Sequence, residues 1–211
     1  MVGILLIIDS LVNYSKSDID LGITPPKIYK ICSCIKEQFC LSYNIRKEND
    51  LYLYFLAENL SVKFIGEELR YLGPDERSQA LLLNKAIKKA EESPNINNKH
   101  WIDSTPGIYA RRYRDFSLFV EELSNLLKGR FKIILNKIEI IRKEFDLKLY
   151  ELNKETLEKD SFVILFLDES ISIVDVMHIF KNMDDPIILH IPKVNNSDDK
   201  ILYTNYLLDN L

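Results

Sequence analysis

The chain is poor in the features that would place it quickly. It has three cysteines, Cys32, Cys34 and Cys40. An odd, small number in a chain with no secretory start argues against a disulfide framework. Cys32-Ser33-Cys34 could suggest a metal site. However, the stretch reads as helix, where positions two apart face different ways. His100, His178 and His190 all lie far from it in sequence, so the thiols read as buried or half-buried and no metal is expected. No apolar run approaches the length of a membrane span. Met1 to Asp9 is apolar and short, without a basic start or a small-residue cleavage site, so it reads as a strand and not a signal peptide. These absences predict a cytoplasmic protein with no membrane partner. Excess positive charge is missing too: the net charge is −4. That argues against a purely charge-driven nucleic-acid binder and leaves room for a local basic patch. There is no Gly-rich phosphate loop, no G-x-S-x-G elbow, no H-E-x-x-H, no internal repeat and no low-complexity tract.

What is present is an ordinary globular composition, 46% hydrophobic and 28% charged over 211 residues. This fits a single domain, 1–211. Gly3 to Ile8 is short, apolar and β-branched and predicts a buried strand. Asp9 to Pro26 reads as loop. Pro26 then suits a helix start, and Ile28, Ile31, Cys32, Ile35 and Phe39 follow helical spacing. Leu51 to Ala57 and Ser61 to Ile65 predict strands joined as a hairpin through Glu58-Asn59. Pro74 to Ala90 reads as a helix with Pro74 first, acids at its start and Lys88 and Lys89 at its end. Glu91 to His100 predicts a polar loop, Pro106-Gly107 a turn, and Phe116 to Leu127 a helix. Strands are predicted at Ile133 to Leu135, Phe162 to Leu167 and Ile187 to Leu189, with a helix over Ile173 to Phe180 and another near Tyr203 to Leu208. Asn195 to Asp199 reads as a surface loop. Alternating strands and helices imply an α/β fold with a largely parallel sheet.

Two stretches carry a resemblance. One runs from Phe64-Ile65-Gly66-Glu67-Glu68-Leu69 through Leu72 and Pro74-Asp75-Glu76-Arg77-Ser78 to Lys85-Ala86. The other is Thr105-Pro106-Gly107-Ile108-Tyr109, then Arg111-Arg112 and Phe116. With Phe39-Cys40-Leu41-Ser42 and Ile45-Arg46 upstream, the chain resembles the archaeal tRNA pseudouridine N1-methyltransferases of the knotted SPOUT class over roughly residues 25 to 120. Each piece alone has a plainer reading. Pro-Asp-Glu-Arg-Ser is also a common helix start, and Arg111, Arg112 and Arg114 could be a solvated cluster.

The resemblance implies a SPOUT-like sheet with a C-terminal trefoil knot, threaded between about Phe162 and Leu211. It also implies a homodimer, whose contact would include Tyr203, Tyr206, Leu207 and Leu208, residues that could equally cover the monomer core. The implied donor is S-adenosyl-L-methionine and the implied acceptor is a pseudouridine in the tRNA T-loop. The donor would lie against Leu167, Asp168, Leu189, His190, Ile191 and Pro192. The RNA would meet one positive face built from Lys27, Lys30, Arg46, Arg77, Arg111 and Arg112, since arginine presents a fork suited to phosphate. The catalytic base is unassigned. Two glycines of the family's first knot loop are Asp168 and Ser172 here, and the glycine of its Leu-Gly-Pro loop is Ile191. A side chain takes space that glycine leaves to a ligand, so donor binding is expected to be weakened. The family's Arg-x-Asp pair falls at Lys27 and Tyr29, and its late cysteine at Lys200. The alternative is a catalytically impaired paralogue acting as a non-catalytic RNA-binding or protein-interaction module.

Overall fold

The computed structural model describes residues 2–92, 100–126, 131–134, 149–157, 162–167, 171, 176 and 187–211. Its organising strand is β1, Val2–Ile8. Ile4, Leu6 and Ile8 point to one face of the sheet and Leu5 and Ile7 to the other, and all five are fully buried. A strand covered on both faces needs a continuous apolar run, which is the pattern seen. β1 lies parallel to β2, Asn49–Phe55, on one side and to β8, Phe162–Phe166, on the other.

The other strands are β3, Leu60–Ile65; β4, Ile102–Thr105; β5, Ile108–Arg112; β6, Phe131–Ile134; β7, Leu149–Glu151; and β9, Ile187–His190. They join one sheet in the order β4-β5-β3-β2-β1-β8-β6-β9-β7. Five pairings are parallel and three antiparallel, so the expected α/β fold with a largely parallel sheet is present. The antiparallel part is the β2-β3-β5-β4 end.

One face of the sheet carries helices α2, Pro26–Phe39, and α3, Glu76–Glu91, together with the C-terminal helix α5, Ser197–Asp209. The other face receives Phe116, Phe119, Val120 and Leu123 of α4, Phe116–Leu126, which pack on Tyr52 and Tyr54.

Three local expectations are corrected, and two strands are added around the expected Pro106-Gly107 turn. The loop after β1 contains a short helix α1, Lys16–Asp20, because Ser15 and Asp18 form a reciprocal capping box. Pro74 precedes α3 without opening it: Asp75 is the N-cap, its carboxylate accepting from the Ser78 amide at 2.8 Å. The Pro106-Gly107 turn joins two strands, β4 and β5, whose polar residues Asp103, Ser104, Arg111 and Arg112 hide the alternation. Asn195 to Asp199 is not simply a loop, since Asn196 is the extended residue that precedes α5, without a side-chain cap bond, and Asp198 and Asp199 sit in the helix's first turn, where carboxylates complement the helix end. The loop at 93–99, the ends at Leu127 and Leu135 and, apart from the buried Val176, the expected helix over Ile173 to Phe180 lie outside the described residues.

Helix α5 is held by a buried polar junction. The Asn205 amide donates to the Glu37 carbonyl at 2.9 Å and to Gln38 Oε1 at 3.2 Å. Asn49 Nδ2 donates to Asn205 Oδ1 and to the Gln38 carbonyl, both at 3.0 Å, and Gln38 Nε2 donates to the Asp50 carbonyl at 2.9 Å. One network therefore ties α5 to α2 and β2. At the far end of α5, Arg46 grips Asp209 with both guanidinium nitrogens. The apolar stripe of α5 is divided: Leu207 is buried, Tyr203 and Leu208 pack against the core, and Leu202 and Tyr206 face outward.

Buried groups stripped of their partners cost more than exposed ion pairs. Asn205→Ala should cost about 1–3 kcal/mol in urea unfolding, and Asp209→Ala less than about 1 kcal/mol. The reverse ranking would show that the ion pair, and not the amide junction, fastens the helix.

Candidate functional site

A cleft of about 870 Å3 opens on the α2 face of the sheet, within the usual size range of ligand pockets. Its floor reaches Leu167 at the carboxyl end of β8, the edge where ligands bind in open parallel sheets. Two hydrogen bonds build this corner: the Leu167 amide donates to the Ile7 carbonyl at 2.9 Å, and Ser197 Oγ donates to the Phe166 carbonyl at 2.9 Å. The second bond sets the first turn of α5 beside the strand end, so Asn195, Asn196, Ser197 and Asp198 form one wall. The opposite wall is α2 and its approach, including Gly22, Pro26, Tyr29, Lys30, Ser33 and Cys34. Glu76 of α3 completes it. Among the described residues no side-chain hydrogen bond caps the start of α2 or of α5; Pro26 opens α2 with no N–H of its own, and the Tyr29 amide donates to the Pro25 carbonyl at 3.0 Å. The cleft offers carboxylates at Glu76 and Asp198, an ammonium at Lys30, and hydroxyl and amide groups at Ser33, Asn195 and Asn196.

The thiols are poor nucleophiles. Burial pushes the Cys32 thiol up to about 12, with Glu76 adding to it. Burial, then the charge of Asp198, raises Cys34 well above the ordinary thiol range. Burial also raises Cys40. A thiol reacts through its thiolate, so catalysis at Cys34 is unsupported although it lines the cleft. Among the described residues no group of three or more His, Cys, Asp or Glu side chains is arranged to hold a metal ion. No described helix is long and apolar enough to cross a membrane.

Of the residues the resemblance assigns to the donor, Leu167 lines the cleft. Asp168 lies outside the described residues. Leu189 and Ile191 are buried in the α2-side core, His190 is half-buried and Pro192 is exposed. Nδ1 of His190 has no hydrogen-bond partner among the described residues. The second wall comes from Asn195 to Asp198, a few residues beyond the stretch the motif selects. Sequence reasoning missed this wall, although Asn-Asn-Ser-Asp-Asp ahead of an apolar helix is a capping pattern. Lys200, at the family's cysteine position, is buried in α5.

The six basic residues do not share one face. Lys27 pairs with Asp9 at the end of β1, and Arg77 pairs with Asp20 of α1 at 2.8 Å. Lys30 stands exposed at the cleft. Arg46 is engaged by Asp209. Arg111 and Arg112 are consecutive in β5, and strand alternation sends them to opposite faces. Arg111 meets Glu122 of α4 at 2.5 Å and lies over the Tyr113 ring. Arg112 follows Ile108 and Ala110, which belong to the α2-side core.

Much of the motif residues' work is structural. A Cβ on Gly66 would meet the carbonyls of Asn49, Arg46 and Lys47. Gly107 has φ +80°, with the Glu68–Leu69 backbone against it. The Ile65 amide donates to the Gly107 carbonyl at 2.8 Å, which clasps the two signature stretches together. Asp75 caps α3, and Ser78 Oγ accepts from the Gly73 amide at 3.3 Å.

Comparison with known proteins agrees. The family described as "Putative SAM-dependent RNA methyltransferase" matches residues 18–137, more than half of the chain, and the protein belongs to it. Among curated relatives, the tRNA (pseudouridine(54)-N(1))-methyltransferase of Methanocaldococcus jannaschii is 36% identical over 115 residues, 52% of this chain and 56% of that protein. The protein of the same name from Haloferax volcanii is 39% identical over 95 residues, 45% of this chain and 46% of its own length. That from Methanococcus aeolicus is 32% identical over 147 residues, 68% and 64% respectively. The chain thus spans between about half and two thirds of these relatives.

Burial makes a chemical prediction. Native protein treated with iodoacetamide at pH 8 should be modified first at Cys40, with Cys32 and Cys34 protected until denaturant is added. Rapid modification of Cys34 in native protein, read by mass spectrometry, would contradict the buried cleft wall.

Proposed function

We propose that the chain is an S-adenosylmethionine-dependent methyltransferase that acts on N1 of a pseudouridine in the tRNA T-loop. The observation that carries this reading is the family match across residues 18–137, whose helix α2 and Glu76 supply most of one side of the cleft. The cleft suits such a donor: Leu167, Pro26 and the buried Cys34 offer apolar contact, Glu76 and Asp198 offer carboxylates to a sulfonium and an ammonium, and Ser33 and Asn196 offer hydrogen bonds to a carboxylate. The proposal includes a cytoplasmic homodimer with a single SPOUT-like domain over 1–211 and a C-terminal trefoil knot. The outward Leu202 and Tyr206 of α5 are available for a dimer contact.

S-adenosylmethionine, when bound, supplies a methyl group whose bond to sulfur breaks with both electrons going to sulfur as N1 of the base forms the new N–C bond and loses its proton. The chain's own contribution is position: two walls and a floor that hold the reacting groups together and exclude water, which can account for much of the rate. In the family this chain resembles, a carboxylate stands two residues after the position of Lys27. Here that residue is Tyr29, and Lys27 pairs with Asp9. Asp168, Ser172 and Ile191 replace glycines of the family pattern, so donor binding is weak in this proposal. Those replacements also favour the second reading, a non-catalytic RNA-binding or protein-interaction module. Substituting Ile191 by glycine would remove a core side chain, at a cost of about 2–5 kcal/mol, and is a poor way to open the site.

Calorimetry separates the two readings. Saturable binding of S-adenosylmethionine supports the enzyme, and no heat at any accessible concentration supports the non-catalytic module.

For tRNA, log K should fall linearly with log salt. Lys30→Ala should flatten that slope more than Arg111→Ala, because Arg111 is engaged by Glu122 on the far face. An equal or larger effect of Arg111→Ala would move the RNA to the α4 side.

A further inference from the structure

Three large apolar side chains are exposed within nine residues of the approach to α2 and its first turn, Leu21 at 72%, Ile23 at 64% and Tyr29 at 55%, and of these Tyr29 lines the cleft. Scattered exposed apolar residues need no explanation, but an exposed aromatic ring lining a concave site is a candidate ligand contact. The helical period of α2 accounts for the ring's placement. Ile28, Ile31, Cys32 and Ile35 turn into the core, which leaves Tyr29, Lys30 and Ser33 on the cleft side. Tyr52, Tyr54, Tyr113, Phe116 and Phe119 pack against one another on the other face of the sheet. Among the described residues, no such ring partner meets Tyr29.

We infer that Tyr29 is the platform on which the target base stacks, with Lys30 against a neighbouring phosphate. This rests on the RNA methyltransferase reading and adds a specificity-determining residue to it. Chemistry at a ring nitrogen needs the base drawn out of its own stack and held. Stacking on an aromatic ring uses the face of the base and leaves its edge free. That edge then lies within a cleft carrying Ser33, Asn195 and Asn196, groups able to read it by hydrogen bonds. Lys30, the next residue along the helix, presents its ammonium to the same opening.

An aromatic ring could also hold the adenine of the donor, so the test measures both ligands. Binding of a T-arm stem-loop RNA containing pseudouridine is measured by fluorescence anisotropy at fixed salt for the wild type and for Tyr29→Phe, Tyr29→Leu and Tyr29→Ala. Binding of S-adenosylhomocysteine is measured by calorimetry, and thermal unfolding confirms that each variant is folded. Loss of one base–aromatic stack should weaken RNA binding by roughly fivefold or more in the Leu and Ala variants, with Phe within about twofold of wild type. Wild-type affinity in the Leu and Ala variants would overturn the assignment and leave the methyltransferase reading standing. Loss of S-adenosylhomocysteine binding with RNA binding intact would overturn it in favour of a donor-side role. Failure of the wild type to bind the RNA would remove both the assignment and the reading beneath it.

Discussion

The hydrogen-bonded seating of α5 on α2 is the constraint on which the cleft depends. The two helices start on opposite sides of the same opening, and neither start is capped by a side chain. Their separation is set by amides: Asn205 fits the turn at Glu37 and Gln38, and Asn49 holds Asn205 from the sheet. Apolar contacts alone would let one helix slide on another at little cost. A buried amide network has few satisfactory arrangements, because each polar group left without a partner is penalised. Ser197, bonded to the Phe166 carbonyl, then fixes the first turn of α5 against the strand end.

The sheet supplies the frame for that junction. β1 lies between β2 and β8, so one strand joins the antiparallel half, where the signature stretches lie, to the parallel half that carries the carboxyl-end corner. Its alternation divides the interior into two cores. The α4 face is rich in aromatic rings, and the α2 face is mainly aliphatic. The signature residues belong to this frame as much as to any ligand. Gly66 and Gly107 permit a close backbone approach, and Asp75 starts α3 at the place that brings Glu76 to the cleft.

The sequence made the frame legible where a single physical signal dominated. Continuous apolar runs marked β1 and β8, and helical spacing marked α2 and α3. It was less legible where elements are short and polar. α1 depends on a capping box of two residues, and β4 and β5 alternate through arginine, serine and aspartate. Of the residues expected at the two ligands, Leu167 and Lys30 line the cleft. The polarity of Asn195 to Asp198 suggests a solvated loop, yet polarity at a helix start is also what a ligand meets. Arg111 and Arg112, expected on a single basic face, are neighbours on a strand and point apart.

The remaining question is chemical. The cleft combines the first turns of two helices, two carboxylates, one ammonium and an exposed aromatic ring, a set suited to a charged donor beside a planar base. The most direct measurement of that account is mass spectrometry of T-arm RNA after incubation with the protein and S-adenosylmethionine bearing a deuterated methyl group. The account predicts one labelled methyl group on pseudouridine and none when uridine occupies the same position. RNA that stays unlabelled under conditions where both ligands are shown to bind would contradict it.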